Sequence, residues 1–308
     1  MMTDQAIRDV GEDEVEGLCA LFRVVFHAEV STAAWLWKYH DKALDGHVNV
    51  VLAEGDRILG HAGAVILPGS HDGERVPLAQ ICDVMLAPDA RGGAGPRGPY
   101  ATLIQGLIDT LQARIPDGLF FGFPGERPFR LGERLGFYRR LGHIYEQRRP
   151  TSPSGGSFRR LSPLDWTDRR LDLLWSRGAA RAGCRIVRDA RYLDWRYARN
   201  PHRTYQLLGV HLGWWLVGWV VVHLQDGEVL VVDRWLDERT LEPVLRALVR
   251  WGHAQGAAQI VWWPGDASQL VPSPLARDTG LVGGVMPASA PRFATCSPSW
   301  QPGDTDVR

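Results

Sequence analysis

Residues Ile81–Tyr100 read ICDVMLAPDARGGAGPRGPY, and the fold turns on how they are read. An apolar strand runs into Pro88, whose ring cannot continue a ladder. Four glycines and two arginines follow before a helix opens near Pro99. Glycine-rich backbone lets N–H groups curl around an anion, and a helix N-terminus adds partial positive charge. Arg91 and Arg97 supply charge-assisted hydrogen bonds suited to phosphate oxygens. The same composition also suits a flexible surface loop, so the neighbouring segments have to decide.

Upstream, a short strand near Ala6–Arg8 precedes a helix over Asp13–Phe26 and a second helical segment ending in WLWKY, Trp35–Tyr39. Alternating strands follow at His47–Glu54 and Ile58–Leu67, joined by EGDR, a hairpin turn. A third strand covers Val76–Leu86. Downstream, apolar periodicity predicts a helix over Tyr100–Ala113 with Leu103, Leu107 and Leu111 on one face. Leu119–Phe123 is all apolar, as expected of a strand buried on both faces. A helix over Arg127–Leu135 ends at Gly136, a good C-cap residue. Antiparallel strands first and a strand–helix–strand crossover later define an α+β or mixed α/β domain.

That order occurs twice. WKY at Trp37–Tyr39 is matched by WRY at Trp195–Tyr197, and each lies 21 residues before a strand glycine, Gly60 and Gly218. LFFGFPG ending at Gly125 echoes QIVWWPG ending at Gly265, and ERLGF around Gly136 echoes RDTGL around Gly280. Four echoes in one order indicate a duplication. The expected organisation is a first domain over 1–150, a Pro/Ser/Gly/Arg linker over 151–162, a second domain over 163–296 and a loose tail over 297–308. Asp83 corresponds to Asp233, yet Asp233–Gly265 is ten residues shorter than Asp83–Gly125. What the second copy lacks is the glycine–arginine loop.

Composition bounds the function. Thirty-five basic and thirty-five acidic residues cancel, which argues against a nucleic-acid or membrane partner held by bulk charge. No apolar run reaches transmembrane length, and the acidic N-terminus lacks a signal-peptide core. The four cysteines are scattered without a CxxC pair, which suits a reducing cytoplasm. The histidines show no HxH or HExxH spacing, so no metal is expected, and His61 and His143 read as structural groups. No GxSxG elbow marks a serine nucleophile. Lysine occurs only at Lys38 and Lys42, a bias to which no function is assigned. Eleven of the thirteen tryptophans lie from Trp166 onward, either as core packing or as the wall of a pocket.

Pro88-Asp89-Ala90-Arg91-Gly92-Gly93, then a helix, a buried strand and Gly125-Glu126-Arg127-Pro128…Glu133-Arg134-Leu135-Gly136-Phe137 resemble the two motifs of the GNAT superfamily of acyl-CoA-dependent N-acyltransferases. A second register, Arg97-Gly98-Pro99-Tyr100, fits the spacing to the helix better. The resemblance covers residues 5–150 well and 165–290 weakly. It implies two tandem GNAT-like domains, each a mixed, mostly antiparallel sheet flanked by helices, the second degenerate. It also implies acetyl-CoA or another acyl-CoA as co-substrate and a small-molecule or peptide amine as acceptor. Arg91, Gly92, Gly93, Gly95, Arg97, Gly98, Pro99 and Tyr100 would hold the pyrophosphate. Backbone groups at Met85, Leu86 and Ala87 would pair with the pantetheine and polarise the thioester carbonyl.

The amine must lose a proton before attack and the thiolate must gain one on leaving. Here the sequence departs from the family pattern. The family's asparagine is Gly125, and its frequent proton-donating tyrosine is Gly132. Tyr138 is the substitute acid, or else an aromatic packed under the helix. Asp83 is the candidate base, or else a carboxylate tied to an arginine; Glu126 is the reserve. The expected function is N-acyl transfer, acetyl transfer first, by direct attack. The competing readings are a non-catalytic acyl-CoA-binding scaffold and an aminoacyl-tRNA-dependent transferase.

Overall fold

The computed structural model describes residues 5–93, 95–154, 156–178, 183–264, 276–296 and 298–305. Gly265 and the tail residues 306–308 lie outside them. In chain order the elements are β1 (Gln5–Asp9), α1 (Val15–Phe26), α2 (Thr32–His40), β2 (Gly46–Glu54), β3 (Arg57–His71), β4 (Glu74–Leu86), α3 (Pro99–Arg114), β5 (Leu119–Gly122), α4 (Glu126–Arg134) and β6 (Arg139–Pro150). Then follow β7 (Arg159–Pro163), α5 (Arg170–Gly178), β8 (Cys184–Ile186), α6 (Ala190–Leu193), β9 (Gln206–Leu212), β10 (Trp215–Gln225), β11 (Glu228–Trp235), α7 (Leu241–Ala254), β12 (Gln259–Trp262) and β13 (Ala276–Val285). The chain forms two compact units. The first holds residues up to Gly69, Arg75–Gly142 and Leu281–Cys296; the second holds Ser70–Glu74, His143–Gly280 and the C-terminal segment.

In the first unit β1, β2 and β3 pair antiparallel, and a two-residue turn at Gly55–Asp56 sets the β2–β3 register with Glu54 opposite Arg57. β4 pairs parallel with β5, and β5 pairs antiparallel with the end of β13. Val48, Val50, Leu52, Ala62, Ala64 and Ala79 bury one sheet face with Leu103, Ile104, Leu107 and Leu111 of α3. The leucine stripe read from the sequence is therefore the buried face of that helix. Ser31 caps α2 by accepting from the Ala34 N–H, and Trp35 and Tyr39, one turn apart, are both buried.

The second unit repeats the plan. β7, β9, β10 and β11 pair antiparallel, β11 pairs parallel with β12, and β12 pairs antiparallel with β6. α7 packs Val244, Leu245, Leu248 and Val249 against Val220, Val222, Val229, Val231 and Ile260. Two matched contacts support the duplication: a Cβ on Gly60 would lie 2.8 Å from the Met85 carbonyl, and one on Gly218 would lie 2.5 Å from the Trp235 carbonyl. Each carbonyl belongs to the second residue after the matched aspartate, Asp83 or Asp233.

The tail reading needs correction. Trp300, Gln301, Asp304 and Thr305 are buried. Their composition looks loose because polar contacts, not apolar side chains, hold them. Six of the later tryptophans, Trp195, Trp219, Trp235, Trp262, Trp263 and Trp300, are core residues, whereas Trp214 and Trp215 are exposed.

Candidate active site in the first unit

β4 and β5 pair only over Leu78–Gln80 and Leu119–Phe121. Beyond Gln80, β4 runs on to Leu86 while β5 ends at Gly122, so the two strands part. Asp83 lies just past the last paired residue, with φ +47, a left-handed conformation uncommon outside glycine and turns. Its carbonyl faces Nδ1 of His61 at 2.9 Å, and the other ring nitrogen lies 3.0 Å from the Asn49 side chain. His61 is fully buried, and desolvation lowers its pKa to about 4. The neutral ring donates to the Asp83 carbonyl from Nδ1 and accepts the Asn49 amide at Nε2, the tautomer and amide orientation that satisfy both contacts.

The Asp83 side chain is held from α2. Lys38 Nζ donates to Oδ2 at 2.8 Å and Tyr39 Oη donates to the same oxygen at 2.6 Å. The pair is largely desolvated, with Lys38 13% and Asp83 8% exposed. Its partners are thus a lysine and a tyrosine, not an arginine. The WKY triplet carries both residues, but its spacing to Asp83 gives no local signal of the contact.

After β4 the chain makes a short 3-10 turn at Pro88–Ala90, where Asp89 pairs with Arg57, and then the glycine loop. Arg91, Gly92, Gly93, Gly95 and Arg97 are exposed, while Gly98 is buried as the N-cap of α3. A Cβ on Gly98 would collide with the Gly93 carbonyl, so the loop folds back on itself only because residue 98 is glycine. The first helical bond runs from Thr102 N–H to the Gly98 carbonyl, which leaves the Tyr100 and Ala101 N–H groups in the open first turn. Arg91 Nε donates to the Leu86 carbonyl at 3.1 Å, and the Ala87 N–H donates to Leu59 at 2.8 Å. Two of the backbone groups expected to face pantetheine are therefore already engaged inside the protein. Met85 points its side chain into the core.

Tyr138 is buried against Phe129, and burial raises its phenol well above the usual value. Its ring lies where a side chain on Gly132 would begin, and the Tyr100 hydroxyl lies 3.0 Å from that same position. Nothing larger than glycine fits there. Burial also pushes Tyr100 up to about 12, so both phenols stay protonated near neutral pH. Glu126 is bound by Arg140 at 3.0 and 3.1 Å and by Arg130 at 2.7 Å, which lowers its pKa to about 2. That makes it a weak base near neutrality.

The matching place in the second unit is filled. β11 and β12 pair over Glu228–Val231 and Gln259–Trp262, and β11 continues to Trp235. Beyond the pairing, the buried Arg234 guanidinium donates to the Trp263 carbonyl at 2.8 Å, the Pro264 carbonyl at 2.7 Å and Gln301 Oε1 at 2.9 Å. Asp233 accepts from Tyr197 Oη at 2.7 Å, as Asp83 does from Tyr39, but its other oxygen takes Arg188 Nε at 2.7 Å. Arg188 also grips Asp304 at 2.6 and 2.7 Å, and Arg196 donates to the Gly303 and Thr305 carbonyls. Three arginines thus stitch the C-terminal segment into this unit.

A parting parallel strand pair, a glycine loop and an open helix N-terminus define the nucleotide-cofactor cradle of a mixed α/β transferase. Residues 6–147 match the acetyltransferase (GNAT) domain family, and the chain belongs to the GNAT superfamily. The whole chain is similar to a probable N-acyltransferase from Enterococcus faecalis V583, at 16% identity over 92% of this chain and 72% of that one, with a TM-score of 0.67. It is also similar to a GCN5-related N-acetyltransferase from Kribbella flavida, at 19% identity over 92% and 70%, TM-score 0.65. A third, from Anabaena variabilis ATCC 29413, gives 16% over 92% and 72%, TM-score 0.64. At these identities the likeness is one of fold. No curated protein matches significantly. Among the described residues, no helix is long and apolar enough to cross a membrane.

Proposed function

We propose that the first unit transfers an acyl group, acetyl in the first instance, from acyl-CoA to an amine, and that the second unit binds no cofactor. The observation that carries this reading is the contrast at the strand opening. It is clear of side-chain plugs beside Asp83, whereas its counterpart beside Asp233 holds Arg234.

On this reading the open first turn of α3 and the loop of Gly92, Gly93, Gly95 and Gly98 receive the pyrophosphate, with Arg97 the main charged contact. Arg97 adjoins the N-cap, and Arg91 is already partly spent on the Leu86 carbonyl. The pantetheine lies along β4 beside Met85 and Leu86. Asp83, fixed by Tyr39 and by the His61 bond to its backbone, takes the proton that the attacking amine must lose. Proton return to the thiolate is the lesser requirement, since a thiol of pKa ~8.5 leaves readily near neutral pH. Tyr138 and Tyr100 are the phenols on that side, and neither can act as a base at neutral pH. Thiol release from acetyl-CoA across an amine panel tests the reading. Amine-dependent release supports it, and tight CoA binding with no turnover on any amine would leave only a binding protein.

A further inference from the structure

The chain meets nearly all its need for positive charge with arginine, yet the cation on Asp83 is a lysine, one of two in 308 residues. Arginine would hold a carboxylate at least as well, being permanently charged and able to bind with two parallel bonds. The second unit does this: Arg188 holds Asp233, and the residue matching Lys38 is Arg196. A lysine offers one thing that arginine does not. Once it gives up its proton it is a primary amine nucleophile.

The geometry gives Lys38 a proton acceptor. Its Nζ lies 2.8 Å from Asp83 Oδ2, within a single transfer, on a carboxylate three residues beyond the last β4–β5 pair. The other lysine, Lys42, is exposed just beyond α2. We propose that Lys38 is itself an acyl acceptor, so that the protein acylates its own α2 at the mouth of the strand opening. The inference rests on the reading of the first unit as an acyl-CoA site.

The step balances as follows. The Lys38 ammonium passes a proton to Asp83, and the freed lone pair attacks the thioester carbonyl carbon. An N–C bond forms and the C–S bond breaks. CoA leaves as a thiolate that takes up a proton, and one proton is released overall. The product is an amide, which does not pass the acyl group on, so the modification is terminal. It removes the charge on Lys38 and with it the ion pair to Asp83, leaving Tyr39 as the donor from α2.

The test incubates the full chain with acetyl-CoA and follows intact mass, with fragmentation to place each acetyl group on Lys38 or Lys42. Lys38 is expected to gain one acetyl group at least about tenfold faster than the more exposed Lys42, the reverse of solution chemistry. In urea the two lysines should react alike. Lys38→Arg should abolish the fast phase while its melting curve stays that of a folded protein, and Lys42→Arg should leave it intact. Asp83→Asn should slow it by ~10² or more, as expected for loss of a general base. Acetyl-CoA binding measured on the same preparation separates the two levels of the claim. If acetyl-CoA binds and external amines are acylated while Lys38 stays unmodified, self-acylation is wrong and the acyltransferase reading stands. Labelling of Lys38 no faster than Lys42 likewise overturns it as mere chemical acylation. Absence of acetyl-CoA binding overturns both.

Discussion

Asp83 and Asp233 occupy matched places in two copies of one fold, and each accepts a hydrogen bond from the tyrosine of a WKY or WRY triplet. They differ in everything else. Asp233 is sealed, with both oxygens taken, a buried arginine on one of them and a second arginine closing the strand opening beside it. Asp83 sits beside an opening without such a plug, on a strained backbone that a buried histidine supports. The same carboxylate at the same position thus serves as a structural tie in one copy and as a candidate proton acceptor in the other. What changed is the set of neighbours, above all the glycine loop kept by one copy and the arginines and C-terminal segment acquired by the other.

Paired substitutions probe this contrast most strongly. Asp83→Asn should lower kcat by ~10²–10⁴ with the melting temperature little changed, because the amide keeps the shape but cannot accept the proton. Asp233→Asn should do the reverse, costing about 3 kcal/mol of stability by leaving Arg188 partly uncompensated in the interior, with activity per folded molecule unchanged. Turnover and denaturation measured on both variants decide the matter, and an exchange of the two phenotypes would reverse the assignment of the units.

The loop should carry the next largest effect. Replacing Arg91 and Arg97 together by Ala should weaken CoA binding by ~1.5–3 kcal/mol for each arginine that reaches phosphate. Arg97→Ala alone should account for most of the loss. Equal single-mutant losses would show that Arg91 leaves the Leu86 carbonyl to bind the ligand.

A smaller effect tests the support under Asp83. His61 has a folded pKa near 4 against an ordinary 6.5, so between those values the unfolded chain binds more protons than the folded one. Stability should therefore fall by about 3 kcal/mol as pH drops from 6.5 to 4, and level off below. His61→Gln should flatten that limb in acid unfolding curves. An unchanged slope would place the acid sensitivity elsewhere. The smallest effect is expected for Tyr138→Phe: turnover should drop by less than the ~10² that a required acid contributes. A larger drop at unchanged stability would restore the phenol as the proton donor.

The strand, glycine loop and helix were legible because each rests on local composition: an apolar run into Pro88, glycines, and leucines at helical spacing. The duplication was legible from Gly60 and Gly218, which mark where one strand crosses close over the next. Lys38 and Tyr39 were visible as part of a repeat but not as partners of Asp83, because 44 and 45 residues separate them and only packing of α2 brings them together. The C-terminal segment read as a tail since Gln301, Gly303 and Asp304 look solvent-loving. Their burial depends on arginines more than 60 residues away. Gly132 signalled a missing side chain without revealing that the Tyr138 ring occupies its space.

The central claim is that one unit holds acyl-CoA and the other does not, and calorimetric titration of CoA into the full chain tests it most directly. A single site per chain is expected, lost in the Arg91/Arg97 double variant and kept in Arg234→Ala if that variant folds. Two sites per chain, or one site that survives loss of both loop arginines, would contradict the account.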